Sequence, residues 1–216
     1  MGTPDIDAIR MIRQITFMFY KVEGEYPQEL VNEKIREFVK VDNDLVSCDQ
    51  INMAQAAYIH SAQEVINQVF KDLDPQTICP RPGPGQTAER RPHWDRYEPH
   101  VLYERLHAVF HYGKHFYAGL SHLTNRVQSI HRVRSTRVAI SRLATVPKDS
   151  RGPRIICMEP NEYMWIQQGL GRAMSDQLER SPLSRGHVNF TDQTINGLLA
   201  LSASASGRYA TLDMKE

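Results

Sequence analysis

Cysteine is scarce and scattered. Cys48, Cys79 and Cys157 stand far apart with no CxxC pair, which argues against a disulfide framework and a zinc knuckle and suits a reducing cytoplasm. No apolar run approaches a membrane span, and the N-terminus lacks the basic-then-apolar order of a signal peptide. The chain has neither a GxxxxGK[ST] loop nor a GxGxxG turn, so the usual nucleotide-binding loops are excluded. An excess of charge of one sign is also missing, with 26 Lys and Arg against 25 Asp and Glu. There is no internal repeat. What remains is the composition of a folded protein, in 216 residues that allow one domain with a real core or one and a half smaller ones.

The first 73 residues read as mostly helical. In "TPDIDAIRMIRQITFMFYK" Thr3 can cap a helix, Pro4 suits its first turn, and Ile9, Ile12, Ile15 and Phe19 recur at helical spacing. Its half from Ile15 to Tyr20 is apolar nearly all round, which predicts burial between several elements. Residues 27–46 and 50–73 predict two further amphipathic helices. Between Asp74 and His100 lie six of the twelve prolines, so neither helix nor central strand continues there. A flexible linker is one reading of residues 74–100. Trp94, Tyr97 and several arginines favour a long ordered loop with a task.

His107, His111 and His115 follow at i, i+4, i+8 and would share a face of a continuous helix. Three such imidazoles could hold zinc or copper. No HExxH acid accompanies them, and Gly113 and Gly119 weaken helical continuity, so histidines facing solvent or RNA are favoured.

From Arg126 to Arg154 the charge becomes lopsided, with eight Lys and Arg against the single acid Asp149. The alternation in Arg132-Val-Arg134 and in Arg137-Val-Ala-Ile predicts strands, as does "PRIICME", around a turn-forming "PKDSRGP". A charge run is often only a solvated face. Here all the excess sits in one segment, arginine dominates, and its planar fork suits phosphate, so binding of a nucleic acid or triphosphate is the sharper reading. After Pro160 a helix returns, with Tyr163, Ile166, Leu170, Met174 and Leu178 marking its face and Ser181-Pro182 stopping it. Gly169 and Gly171 inside it suggest close packing or a break. A last helix runs from about Asp192, capped by Thr191, to the small residues before Gly207. A strand Tyr209 to Asp213 then delivers a carboxylate.

The ordered stretches "TVPKDSRGPRIICMEP", "EYMWIQQGLGRAMSDQL", "VNFTDQTIN" and "YATLD" resemble the RNA-dependent RNA polymerases of the leviviruses, the small positive-strand RNA bacteriophages. "IRQITFMFYKVEGEYP" and "RPGPGQTAE" also look like segments of these replicases, so the resemblance covers most of the chain. It implies an α+β fold: a mainly helical fingers portion of a right-hand polymerase plus the first palm strand, an incomplete fold. Residues 1–125 would be a helical fingers region with the Pro-rich loop, 126–207 the basic strands and helices of the NTP channel, and 208–216 the start of the palm.

By the same resemblance Lys148, Arg151 and Arg154 match the basic motif that holds the incoming triphosphate, and Asp213 matches the first catalytic, metal-binding acid. Asp192, Gln193 and Asn196 match a stretch with structural or nucleotide-positioning roles. Arg132, Arg134, Arg137 and Arg142 are candidates for RNA contact. Two Mg2+ ions, RNA template and nascent RNA, NTPs, host translation factors and the cytoplasm of an infected bacterium are what the family implies. The second acid, the Ser/Thr-Gly motif and the Gly-Asp-Asp turn of the family do not follow Asp213 in these residues. The expectation is a partial replicase that does not polymerise RNA by itself. The alternative is a non-catalytic RNA-binding module using residues 126–154.

Overall fold

A computed structural model describes residues 5–18, 25–45, 51–116, 133–149, 152–210 and 212. The chain divides into two compact units, each assembled from separated stretches. One takes residues 1–51, 85–92 and 138–161, and the other takes 52–84, 93–137 and 162–216.

In the first unit, α1 (Ile6–Phe17) starts at Asp5, whose carboxylate accepts from the backbone of Asp7 and Ala8. The cap is therefore Asp5, while Thr3 lies outside the described residues. The short acid reaches two of the donors that a helix start leaves unpaired. The expected burial of this helix is not found: no described residue of α1 is buried, and Ile6 and Ile15 are about as exposed as each other, at 70% and 69%. An apolar stripe dictates a helix, but burying it takes an opposing element, and none is laid against it among the described residues.

Next, α2 (Gln28–Asp44) packs against a β-hairpin of two strands, Arg142–Asp149 and Gly152–Met158. Gly152 stands at φ +138, and a Cβ there would meet Lys34 Cε at 3.2 Å and Leu30 Cγ at 3.6 Å. Glycine thus serves both the backbone conformation and the close approach of α2. Residues 85–92 clamp the far end of the hairpin. Ala88 N–H donates to the Glu159 carbonyl at 2.9 Å, Asn161 N–H donates to the Glu89 carboxylate at 3.2 Å, and Ser141 Oγ donates to the Glu159 carboxylate at 2.9 Å. Thr87, Ala88 and Arg91 are buried there.

The second unit holds the aromatic core. It begins with α3 (Met53–Phe70), entered through a capping box of Asn52 and Gln55. Single 3₁₀ turns at Pro75–Thr77 and His93–Tyr97 order the proline-rich segment. A short strand β1 (Val101–Tyr103) runs into α4 (Glu104–Val109), then α5 (Tyr112–His115), and pairs in parallel with β2 (Arg134–Thr136). In chain order the hairpin strands are β3 and β4. The long helix α6 (Asn161–Arg180) and α7 (Thr194–Ser206) complete the elements.

Ile78, Tyr103, Leu106, Phe110, Tyr112, Phe116, Trp165 and Ile166 form one buried cluster. Phe116 stacks on Trp165 with ring centroids 5.9 Å apart, and the indole N–H donates to the His115 carbonyl at 2.8 Å. Tyr103 N–H donates to the Tyr112 hydroxyl at 3.1 Å, and burial pushes that phenol's pKa up. Glu162, 1% exposed, accepts from the backbone of His100 and Val101 at 2.8 and 3.3 Å, meeting donors that β1 would otherwise leave buried.

Gly169 resolves the choice between packing and break. A Cβ there would lie 3.1 Å from Pro80 Cα and 3.2 Å from Ile78 Cδ1, whereas Gly171 faces open space. On the same helix Trp165 is central to the core, but Met174 is 42% exposed, so it is not on the buried face.

Three local expectations are corrected. The stretch Arg137 to Ile140 is not a strand, because β2 ends at Thr136 and the next pairing starts at Arg142. Thr191 does not cap α7: its backbone and hydroxyl both bond Glu179, and Gln193 stands at the cap position without a side-chain cap bond. Tyr209, Ala210 and Leu212 are not in a strand, since a strand needs a paired neighbour and none pairs with them among the described residues. Gly207 does end α7, at φ +64.

Candidate nucleic-acid interface

The basic segment is divided between the units at Arg137 and Val138. In the first unit the hairpin carries Arg142, Lys148 and Arg154, all exposed. Antiparallel register pairs Val146 with Arg154, Ala144 with Ile156 and Arg142 with Met158. Directly opposed residues point to one face, and alternate positions return to it. Arg142 and Arg154 therefore share a face. They sit at opposite ends of it, four residues or about 14 Å apart along the strand, so one phosphate does not meet both guanidinium stems at close range.

A register shift lies between Val146 and Asp149, beside Lys148. The Lys148 backbone N–H donates to the Tyr26 hydroxyl at 3.3 Å, which steadies the irregular part of β3. Among the described residues no carboxylate pairs with Arg142, Lys148 or Arg154. Arg151 lies outside the described residues. So do Arg132 and Asp213.

In the second unit Arg134 is exposed on β2. Arg137 is not a bare cation: its Nε donates to Glu104 at 2.6 Å, and Ser135 Oγ donates to the same carboxylate at 3.1 Å. The bond from Arg137, then that from Ser135, holds the Glu104 carboxyl below its ordinary pKa. An RNA phosphate approaching Arg137 has to compete with that acid.

Asp192, Gln193 and Asn196 are exposed, and their side chains shape the entry into α7. Asp192 accepts from the Thr194 hydroxyl and from Thr194 N–H, which keep its pKa low. Gln193 Nε2 donates to the carbonyls of Asn189 and Phe190, and Asn196 Nδ2 donates to Gln193 Oε1 at 3.0 Å. Glu179 gathers the preceding turn through Phe190 N–H, Thr191 N–H and the Thr191 hydroxyl.

The histidine column is broken. Phe110 turns into the core and separates α4 from α5, so no continuous helix carries His107, His111 and His115. His115 is buried, not facing solvent or RNA, with its two ring nitrogens 3.2 Å from the carbonyls of His111 and Gln76. The rings of His107 and His111 lie 4.4 Å apart. No group of three or more His, Cys, Asp or Glu among the described residues is placed to hold a metal ion. No described helix is long and apolar enough to cross a membrane.

Tyr26, Glu104 and Glu179 were not legible as partners of the motif residues. Each acts across a gap in sequence that no local pattern encodes: 122 residues from Tyr26 to Lys148 and 33 from Glu104 to Arg137.

With this geometry in view, comparison with known proteins gives a likeness over the second half of the chain. Residues 113–216 match the family described as RNA replicase, beta-chain, so over this stretch the chain is similar to those replicases. Among individual relatives, the RNA-directed RNA polymerase subunit beta of Qbeta virus (strain MX1) is 36% identical over 74 residues, 34% of this chain and 12% of the relative. The RNA-directed RNA polymerase beta chains of Enterobacteria phage fr and Escherichia phage MS2 are 37% and 36% identical over 70 residues, 32% of this chain and 12% of each relative. The matched stretch thus spans about an eighth of those relatives' length. No solved structure matches.

Proposed function

We propose that this chain is part of the catalytic subunit of a bacteriophage RNA-directed RNA polymerase, and that its β3–β4 hairpin meets the triphosphate of an incoming nucleotide. The observation that carries the reading is that the replicase match over residues 113–216 contains a hairpin with Lys148 and Arg154 exposed and without a carboxylate partner among the described residues. Arg151 lies between them in sequence and joins the same role. Cations held on a paired backbone suit developing phosphate charge, because they are positioned before the charge arrives. Arg134 and Arg142, with Arg132, would contact the RNA backbone, and Arg137 would do so in exchange for Glu104. Asp192, Gln193 and Asn196 would set the turn that precedes the catalytic stretch.

In this reading Asp213 is a metal-binding carboxylate. Magnesium takes oxygen donors and, as a pair of ions in the whole enzyme, would activate the 3′-hydroxyl and clamp the phosphates. Among the described residues no group of three or more His, Cys, Asp or Glu forms such a site. The right-hand fold, with fingers and first palm strand, belongs to the same proposal. So do genome replication in the host cytoplasm, RNA template and NTPs as partners, and the recruitment of host translation factors. The 216 residues taken alone are proposed to bind RNA and NTPs without polymerising.

A binding titration tests this. Single-stranded RNA and ATP should both bind, with log affinity for RNA falling linearly with log salt. The double variant Lys148→Ala, Arg154→Ala should lower both affinities and flatten the RNA salt slope by roughly one to two. RNA bound with no affinity for ATP would favour the alternative, a non-catalytic RNA-binding module. No affinity for either, or a double variant that behaves as wild type, would remove the hairpin from the reading.

A further inference from the structure

Trp94 has a placement that the polymerase reading leaves unused. It is 77% exposed, whereas the chain's other tryptophan, Trp165, is 2% exposed. The exposure does not come from a loose segment. Trp94 sits in the 3₁₀ turn His93–Tyr97, and its neighbours in that turn are fixed. Arg96 is buried, with Nη1 donating to the Gly83 carbonyl at 3.1 Å. Tyr97 meets the Trp165 ring edge-on at 6.0 Å, and His93 meets Tyr97 edge-on at 5.8 Å. Asp95 pairs with His100 at 3.3 Å. With the inward places of the turn filled, the indole is held outward.

The surroundings decide what such a ring suits. From Glu89 to His100 the sequence is "ERRPHWDRYEPH", with no Leu, Ile, Val, Met or Phe. A protein-docking patch draws on contiguous apolar surface, and this turn offers one exposed indole among polar groups, with the His93 imidazole turned edge-on to Tyr97. One exposed π-face on an ordered turn is what an unpaired base needs, since every base has a face to stack and requires no matching groove. We infer that Trp94 is a stacking platform for an unpaired base of single-stranded RNA. The inference rests on the RNA-binding reading above and adds to it a residue outside the basic segment.

Tryptophan emission reads the contact directly, because one indole is exposed and the other buried. A short unstructured RNA oligonucleotide should quench the exposed indole, and a duplex of the same length should not. Trp94→Ala should weaken binding of the oligonucleotide roughly five- to a hundredfold, the range for losing one stacked base. Trp94→Phe should recover most of it, and the unchanged emission of Trp165 reports that each variant is folded. Wild-type affinity in Trp94→Ala would overturn the inference while leaving the polymerase reading intact. So would a Phe variant as weak as the Ala variant, or a change in sedimentation with RNA affinity unaltered, which would mark Trp94 as a protein contact. Absence of RNA binding by the wild-type chain would overturn both.

Discussion

The aromatic cluster around Trp165 and the β3–β4 hairpin treat their side chains in opposite ways. In the cluster Trp165 and Tyr112 each have two attachments, a ring packed on Phe116 and a polar atom bonded to backbone: Trp165 to His115, Tyr112 to Tyr103. On the hairpin the backbone is paired and clamped, yet Arg142, Lys148 and Arg154 project into solvent. Packing of the first kind makes a position intolerant of change. Projection of the second kind leaves stability nearly indifferent to the side chain and frees it for a ligand. The two regions should therefore respond oppositely to substitution.

The largest expected effect is at Trp165. Trp165→Ala deletes the buried indole, its stack on Phe116 and its bond to His115, and should lower unfolding free energy by about 3–5 kcal/mol in urea denaturation. Arg154→Ala, measured the same way, should stay within about 0.5 kcal/mol of wild type. A comparable loss at both positions would erase the contrast and make Arg154 a structural residue.

A second, smaller contrast lies within one helix. At Gly169 an added methyl meets the backbone of Pro80 at 3.1 Å, and backbone cannot swing aside as a side chain can. Gly169→Ala should cost about 1–3 kcal/mol. Two residues on, Gly171 faces open space, and Gly171→Ala should add up to about 1 kcal/mol through helix propensity. If both substitutions stabilise, the close approach of residues 78–80 to α6 is wrong.

These pairs also mark how much could be read before the fold was known. Helical periodicity located α2, α3 and α6 to within a few residues, because spacing of apolar side chains is a local property. The expected turn at "PKDSRGP" was only partly legible: Pro147 to Asp149 belong to β3 and Gly152 and Pro153 to β4, and the two residues between lie outside the described ones. Gly169 and Gly171 were indistinguishable in sequence, because what separates them is Pro80, which packs against only one. The nakedness of α1 was hidden likewise: an apolar stripe says a face can be covered, not that an element is there to cover it. Lys148 and Arg154 were singled out by charge patterning and family likeness, whereas the tie from Lys148 to Tyr26 depends on the tertiary path of the chain. Trp94 and Tyr97 looked alike as loop aromatics, and only packing against Trp165 turned one inward.

The smallest effect expected is a pH dependence at the corner between α4 and α5. His107 Nδ1 accepts from the Tyr112 backbone N–H at 3.2 Å, so its proton must sit on Nε2. Burial, and then the charge of His111 close by, hold the His107 pKa below its ordinary value. The sign follows. As pH falls through the ordinary histidine value of about 6.5, the unfolded chain takes up this proton first, so the contribution of His107 is complete above that value and declines below it, levelling off under the lower folded pKa. A second proton would also occupy the nitrogen that accepts from Tyr112, opening the corner where Tyr112 enters the core. His107→Gln offers an acceptor without a titration. Between about pH 7.5 and pH 5 the wild-type chain should lose more stability than His107→Gln, while the other histidines, common to both, cancel in the difference. Parallel curves for the two proteins would mean that the Nδ1 contact does not tie folding to pH.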